Sequence, residues 1–280
     1  MSSLETTDTY THTHRYRQNV SRHTRILKQV LLSAEAKKRE RDWIRYREDG
    51  ELDDSRLLEG IMGENNIYRR RGRNDSSSSS EQQKPKRLRF VFDLSMSMGR
   101  YDSTDGRLRR SLETAVMLME AFKGISPSKY LWSIVGHSGD TDRAMILDEK
   151  TPPRTDEKRL EALRKMNGHV QLTDSGDNTI ESGFRAIKEL SKREADERVV
   201  FLLSDANLEA YGIGGKDLDK LIKTGQDLDV RVFVMFIGTL GDQAMRLVRE
   251  SGSGRAGRVM IAMKTEDIPK LVKRCLMMVV

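Results

Sequence analysis

Residues 90–98, FVFDLSMSM, place Asp93, Ser95 and Ser97 at i, i+2 and i+4 directly after an apolar run that reads as a buried strand. In an extended segment alternate side chains share a face, so this spacing predicts one carboxylate and two hydroxyls converging beyond the strand end. Three hard oxygens suit Mg2+, with Mn2+ as the alternative, and do not suit zinc. A strand running into a serine-rich turn gives the same short pattern, so the rest of the chain must decide. Two further segments bear on the choice. Asp205 follows the apolar run 199–203 in the stretch LSDA, a second carboxylate at a strand end. Thr179 closes SGDNT at 175–179, a glycine-containing loop that opens a helix and presents a hydroxyl with little steric hindrance. Ligands of an open parallel sheet collect beyond the carboxyl ends of its strands. The expected metal set is therefore Asp93, Ser95, Ser97, Thr179 and Asp205, and no catalytic residue is assigned.

The same positions weigh against hydrolysis. A phosphatase of the dehalogenase type also begins with an Asp after its first strand, but it needs a second carboxylate two residues on as general acid. Ser95 stands there instead. A G-x-x-x-x-G-K-[S/T] phosphate loop is also missing from the sequence, because Gly214-Gly215-Lys216 lacks the earlier glycine and the following hydroxyl. We expect a binding protein, not an enzyme, and no ATPase activity.

Elements that would carry these residues follow from the punctuation of the chain. From Lys86 onward apolar runs alternate with amphipathic stretches, the signature of crossover helices between parallel strands. Strands are expected at 88–92, 130–135, 199–203, 230–237 and 258–262. Helices are expected at 106–122, 156–166, 179–192, 218–223, 242–250 and 267–275. The fold class is α/β, a doubly wound, mostly parallel, Rossmann-like sheet flanked by helices, with an N-terminal basic helix and a linker. That helix is expected from Tyr16 to Tyr46, a stretch without Gly or Pro. A break at 50–54, a short helix over 54–61 and an extended run at 67–71 follow. Serines 76–80 mark a flexible linker. The expected organisation is a basic helical extension at 1–73, a linker at 74–87 and an α/β domain at 88–280.

Composition sets the remaining bounds. Charged residues make up 33% of the 280 and the mean hydropathy is -0.64, so part of the chain is expected to be solvated helix or extended segment. Of the formal net charge of +7, residues 1–87 carry +5 and residues 88–280 carry +2. The single cysteine, Cys275, excludes an intramolecular disulfide and a cysteine-based zinc cluster, and fits a reducing intracellular compartment. No run approaches the roughly 20 apolar residues of a membrane span. The 14 methionines fall mostly in apolar runs and read as core filler. Residues 9–33 contain Arg and no acid, a composition shared by mitochondrial presequences and plain basic helices.

Taken together, Asp93, Ser95, Ser97, Thr179 and Asp205 resemble the metal-ion-dependent adhesion site of the von Willebrand factor type A domain family. The segments GHSGD at 136–140, SGDNT at 175–179, LSDANL at 203–208 and FIGTLGDQA at 236–244 are similar to those of chelatase-type AAA+ proteins that end in such a domain. The likeness reaches back over the basic helix and GELDD at 50–54. Met96 departs from the family, which commonly has Gly there, as does Ala206 after Asp205; neither change removes a ligand. The resemblance implies a protein-interaction domain that binds an Asp or Glu of a partner through Mg2+. It further implies a regulatory or adaptor role beside an AAA+ ATPase, and an intracellular location, mitochondrial or alternatively cytoplasmic. Neutral hydroxyl ligands leave much of an ion's charge uncompensated, which favours an incoming carboxylate. The alternative function is a nucleic-acid-binding adaptor using the basic N-terminal arm, which a steep salt dependence would mark. Asp102 and Asp105 read as a solvated acidic loop. His137 and Asp140 stand at the same rim, with His137 equally readable as a loop residue bonded to backbone.

Overall fold

The computed structural model describes residues 3–40, 43–48, 50–53, 60, 62, 65–71, 84–173, 176, 178–205, 212–237, 241–251, 259–262 and 267–279. Two compact units emerge, one of residues 28–82 with Val280 and one of residues 1–27 with 83–279. The first helix, α1 (Ser3–Glu40), gives residues to both.

In the smaller unit β1 (Trp43–Arg47), β2 (Glu51–Leu52) and β3 (Tyr68–Arg71) form an antiparallel sheet in the order β1-β3-β2. Residues 43–46 are therefore strand, where the sequence predicts the end of the basic helix. Absence of Gly and Pro permits a helix but does not require one, and Trp, Ile and Tyr at positions 43, 44 and 46 are residue types of high strand propensity. Gly50, at φ 132, turns the chain between β1 and β2 in a conformation that side chains disfavour. The extended run expected at 67–71 is present as β3. The expected helix at 54–61 lies outside the described residues except for Gly60, as does most of the serine-rich linker.

The larger unit holds β4 (Lys86–Asp93), β5 (Tyr130–His137), β6 (Ala144–Leu147), β7 (Arg198–Ser204), β8 (Arg231–Ile237) and β9 (Val259–Ala262). They form one sheet in the order β6-β5-β4-β7-β8-β9, parallel throughout except for β6 against β5. This is the expected α/β, doubly wound sheet. The chain begins at the centre, builds outward through β5 and β6, and returns to the other side of β4 with β7. The strand order thus reverses between β4 and β7, and the carboxyl ends of these two strands flank the switch point where such sheets hold ligands. Asp93 ends β4, and Asp205 directly follows β7. The edge strand β6 is absent from the sequence expectations because four residues are too few to show a period.

Between and beyond these strands lie α2 (Met96–Arg100), α3 (Asp102–Asp105), α4 (Arg107–Ala121), α5 (Asp156–Leu172), α6 (Thr179–Ser191), α7 (Gly215–Asp227), α8 (Gly241–Glu250) and α9 (Ile268–Val279). Two apolar layers hold them. On one face the in-register Phe90, Phe201 and Phe233 stack across three strands at centroid distances of 4.9 and 5.4 Å, and Phe122 at the end of α4 joins Phe90 and Trp132. On the other, Val91, Leu202 and Val234 meet Ile187 and Leu190 of α6 and Leu221 of α7. Met98, Met117, Met119, Met166 and Met235 are buried, in keeping with their reading as core filler. From α1, Arg17 donates to Glu120 at 2.5 Å and to Asp156 at 3.1 Å, while Asn19 donates to Glu113 at 2.7 Å. Among the described residues no helix is long and apolar enough to cross a membrane.

Candidate metal centre

The motif is not extended throughout, as its period suggested. The strand stops at Asp93, Ser95 takes φ -69 and ψ 161 as the N-cap of α2, and Ser97 lies in the first turn of that helix. The turn of the helix, not strand alternation, brings the two hydroxyls together, with Ser95 Oγ and Ser97 Oγ 2.8 Å apart. Asp93 stabilises the turn from below: its Oδ1 accepts the Ser95 backbone N–H at 2.9 Å. Its Oδ2 accepts the backbone N–H of Asp205 at 3.4 Å, a long bond that ties the ends of β4 and β7.

Ser97 Oγ donates to Asp205 Oδ2 at 2.6 Å. With that proton committed, the direction of the Ser95–Ser97 bond follows: Ser95 donates to Ser97, and the chain of hydroxyls ends on the carboxylate. Each serine therefore keeps lone-pair density free of its own proton. Asp93 and Asp205 are each 2% exposed.

Thr179 is tied to the end of β5 instead. His137 pairs with Asp93 across the β4–β5 ladder, and its Nε2 lies 3.3 Å from Thr179 Oγ1. His137 is thus no loop residue bonded to backbone but a buried strand-end side chain. Burial first, and His169 second, hold its pKa down at about 3, so the ring is neutral; its Nδ1 has no partner among the described residues. Asn178, just before Thr179, donates through Nδ2 to the carbonyls of Ser138 and Gly139 at 2.6 and 3.1 Å. A Cβ on Gly176 would come within 2.6 Å of Gly139 Cα, so this approach of backbone to backbone excludes a side chain. Residues 174, 175 and 177 of the loop, and Ala206 beside Asp205, lie outside the described residues.

Sequence reasoning missed one member of the cluster. Arg107, the first residue of α4, is buried, and its Nη1 donates to Asp205 Oδ2 at 3.1 Å. Asp105 holds the same side chain, accepting from its backbone N at 2.9 Å, from Nε at 2.8 Å and, in the ion pair, lying 2.6 Å from Nη2. The Tyr101 ring covers the guanidinium at 4.9 Å. The acidic loop is thus solvated only in part: Asp105 is drawn inward by an arginine. Met96, the departure from Gly, turns its sulfur to Arg100, whose Nη2 donates to it at 3.1 Å.

Hard oxygens, with hydroxyl protons directed at a carboxylate and two buried carboxylates beside them, form a donor set that fits a divalent ion. Among the described residues no group of three or more His, Cys, Asp or Glu is placed to hold a metal ion.

Residues 88–274 match the von Willebrand factor type A domain family. The chain is 42% identical over 260 residues to von Willebrand factor A domain-containing protein 8 of Mus musculus, an alignment that covers 93% of this chain and 13% of that relative. It therefore spans well under a fifth of the relative's length. Among solved structures, BatB of Bacteroides thetaiotaomicron aligns over 69% of this chain and 99% of its own, with 11% identity and a TM-score of 0.49. Proximal thread matrix protein 1 of the mussel byssus, solved with a zinc-occupied adhesion-site motif, aligns over 71% of this chain and 46% of its own, with 16% identity and a TM-score of 0.47.

Proposed function

This chain belongs to the von Willebrand factor type A domain family, and we propose that it is a metal-dependent protein-interaction domain that binds an Asp or Glu of a partner protein. Domains of this family are commonly interaction modules that work through such a motif. In our reading Asp93, Ser95, Ser97, Thr179 and Asp205 hold Mg2+, or Mn2+ in its place. The observation that carries it is the directed chain from Ser95 through Ser97 to Asp205, which leaves oxygen lone pairs beside two buried carboxylates. When bound, the ion supplies a positive charge that neutral hydroxyls leave partly uncompensated, and a partner's carboxylate completes it. The residues of this chain orient and desolvate; no bond is made or broken. The sequence resemblance makes an AAA+ ATPase acting in trans the candidate partner. Of the basic helix, Arg17 pairs with Glu120 and Asp156, and the nucleic-acid reading stays the alternative.

The test is capture of partners from native extract on immobilised wild-type protein and on Asp93→Ala, each in Mg2+ and in chelator. We expect recovery only with wild type in Mg2+. Equal recovery in all four conditions removes the metal bridge. Circular dichroism of the variant separates loss of the site from loss of the fold.

A further inference from the structure

We propose that Arg107 is a resident cation of the site, one that limits how tightly a divalent ion is held and so preserves the ion's charge for an acidic ligand. The inference rests on the metal-binding reading above and concerns a residue outside the five ligands. Its basis is geometric. The guanidinium is 5% exposed, and Nε, Nη1 and Nη2 all face carboxylates, Nη1 that of Asp205 and the other two that of Asp105. Asp205 Oδ2 accepts from Ser97 and from Arg107, so one oxygen joins the hydroxyl chain to a fixed positive charge.

The electrostatic consequence has a definite sign. Asp105 and Asp205 each face the guanidinium, so Arg107 offsets part of the negative charge that Asp93, Asp105 and Asp205 present beside the hydroxyls. Without it that charge is not offset by the guanidinium. A divalent ion would then bind more tightly, and an acidic ligand would meet stronger repulsion. Arg107 also keeps Asp205 charge-paired before any ion arrives, so the hydroxyl chain stays directed. Its fork suits this role better than lysine, because two arms grip Asp105 while the third reaches Asp205.

Titration with Mn2+ alone, followed by calorimetry, tests the idea on wild type, Arg107→Gln and Asp105→Asn. Removal of the guanidinium is expected to tighten Mn2+ binding about tenfold or more, since a like charge bonded to the proposed ligand Asp205 is lost. Asp105→Asn takes away a negative charge and leaves Arg107 to Asp205, so it is expected to weaken Mn2+ binding severalfold. Damage to the fold weakens both variants; opposite signs are specific to the proposed role. Thermal unfolding in chelator adds a second readout: Arg107→Gln melts below wild type and recovers most of the deficit on adding Mn2+.

Unchanged or weaker Mn2+ binding by Arg107→Gln, with wild type binding normally, overturns the inference and leaves the metal site standing. If wild type binds no Mn2+ but Arg107→Gln does, the arginine stands in the ion's place, and the inference falls with the functional reading it rests on. Failure of both proteins to bind overturns the two together. Should Arg107→Gln not fold, Asp105→Asn alone decides, because tighter or unchanged binding by that variant contradicts the sign of the argument.

Discussion

Ser97 is the hinge of the site's chemistry, at once the acceptor for Ser95 and the donor to Asp205. Ser97→Ala removes both bonds and a proposed ligand oxygen while changing little volume. We expect Mn2+ affinity to fall at least about tenfold, with a stability change of only about 1 kcal/mol, the usual net worth of a hydrogen bond; calorimetric titration and a denaturant melt measure the two separately. Four of the five expected ligands lie on one connected set of bonds, and their types and order alone pointed there. What the sequence concealed was Arg107. In the stretch GRLRRS it is one of three arginines around the start of a helix, and nothing local marks it as the one turned inward. Its destination depends on the distance between the start of α4 and the end of β7, a tertiary fact. The internal geometry of the motif was concealed in the same way, because a period of two fits an extended strand and, by coincidence, the first turn of a capped helix.

Among the elements, the loop before α6 is held by one backbone-to-backbone approach and one side-chain amide. Gly176 packs against Gly139, and Asn178 ties the same loop to the carbonyls after β5. Gly176→Ala places a methyl where backbone already stands, which rotamer changes cannot relieve. We expect a loss of about 1–3 kcal/mol, the usual range for overpacking, together with weaker Mn2+ binding as Thr179 is displaced. A thermal melt and a metal titration check the pair, and a full loss of stability with intact affinity would contradict it. Most helices and strands were legible because long apolar periods survive any packing. Of those that were not, β1 contradicts a helix-permitting composition only when β3 pairs with it, and β6 is short enough that its partner β5 specifies it.

At the scale of the whole molecule, burial sets the response to alkali. Burial first, and Glu197 second, raise the Tyr130 phenol to about 12 from its ordinary 10.0. The folded state therefore stays neutral where the unfolded chain has already ionised. That contribution is fully present below pH 10 and is lost as pH rises toward 12. Melting temperature is expected to decline across this window, and less steeply in Tyr130→Phe, as scans at pH 9, 10, 11 and 12 would record. Parallel slopes in the two proteins would remove Tyr130 as the cause. The larger unit's sheet was readable at this scale from alternating runs, whereas the docking of Arg17 and Asn19 on Glu113, Glu120 and Asp156 joins residues about a hundred positions apart and left no sign in the chain. One mechanical consequence follows from the central position of β4. Asp93 terminates a strand that is laddered on both sides, to β5 and to β7, along nearly its whole length. Tension applied at the ligand end along that axis loads both ladders in shear, so their hydrogen bonds must rupture together and not in succession. The anchor is thereby seated on a strand braced from both sides, and a tether fixed there is expected to yield at its ionic contact before the strand slides.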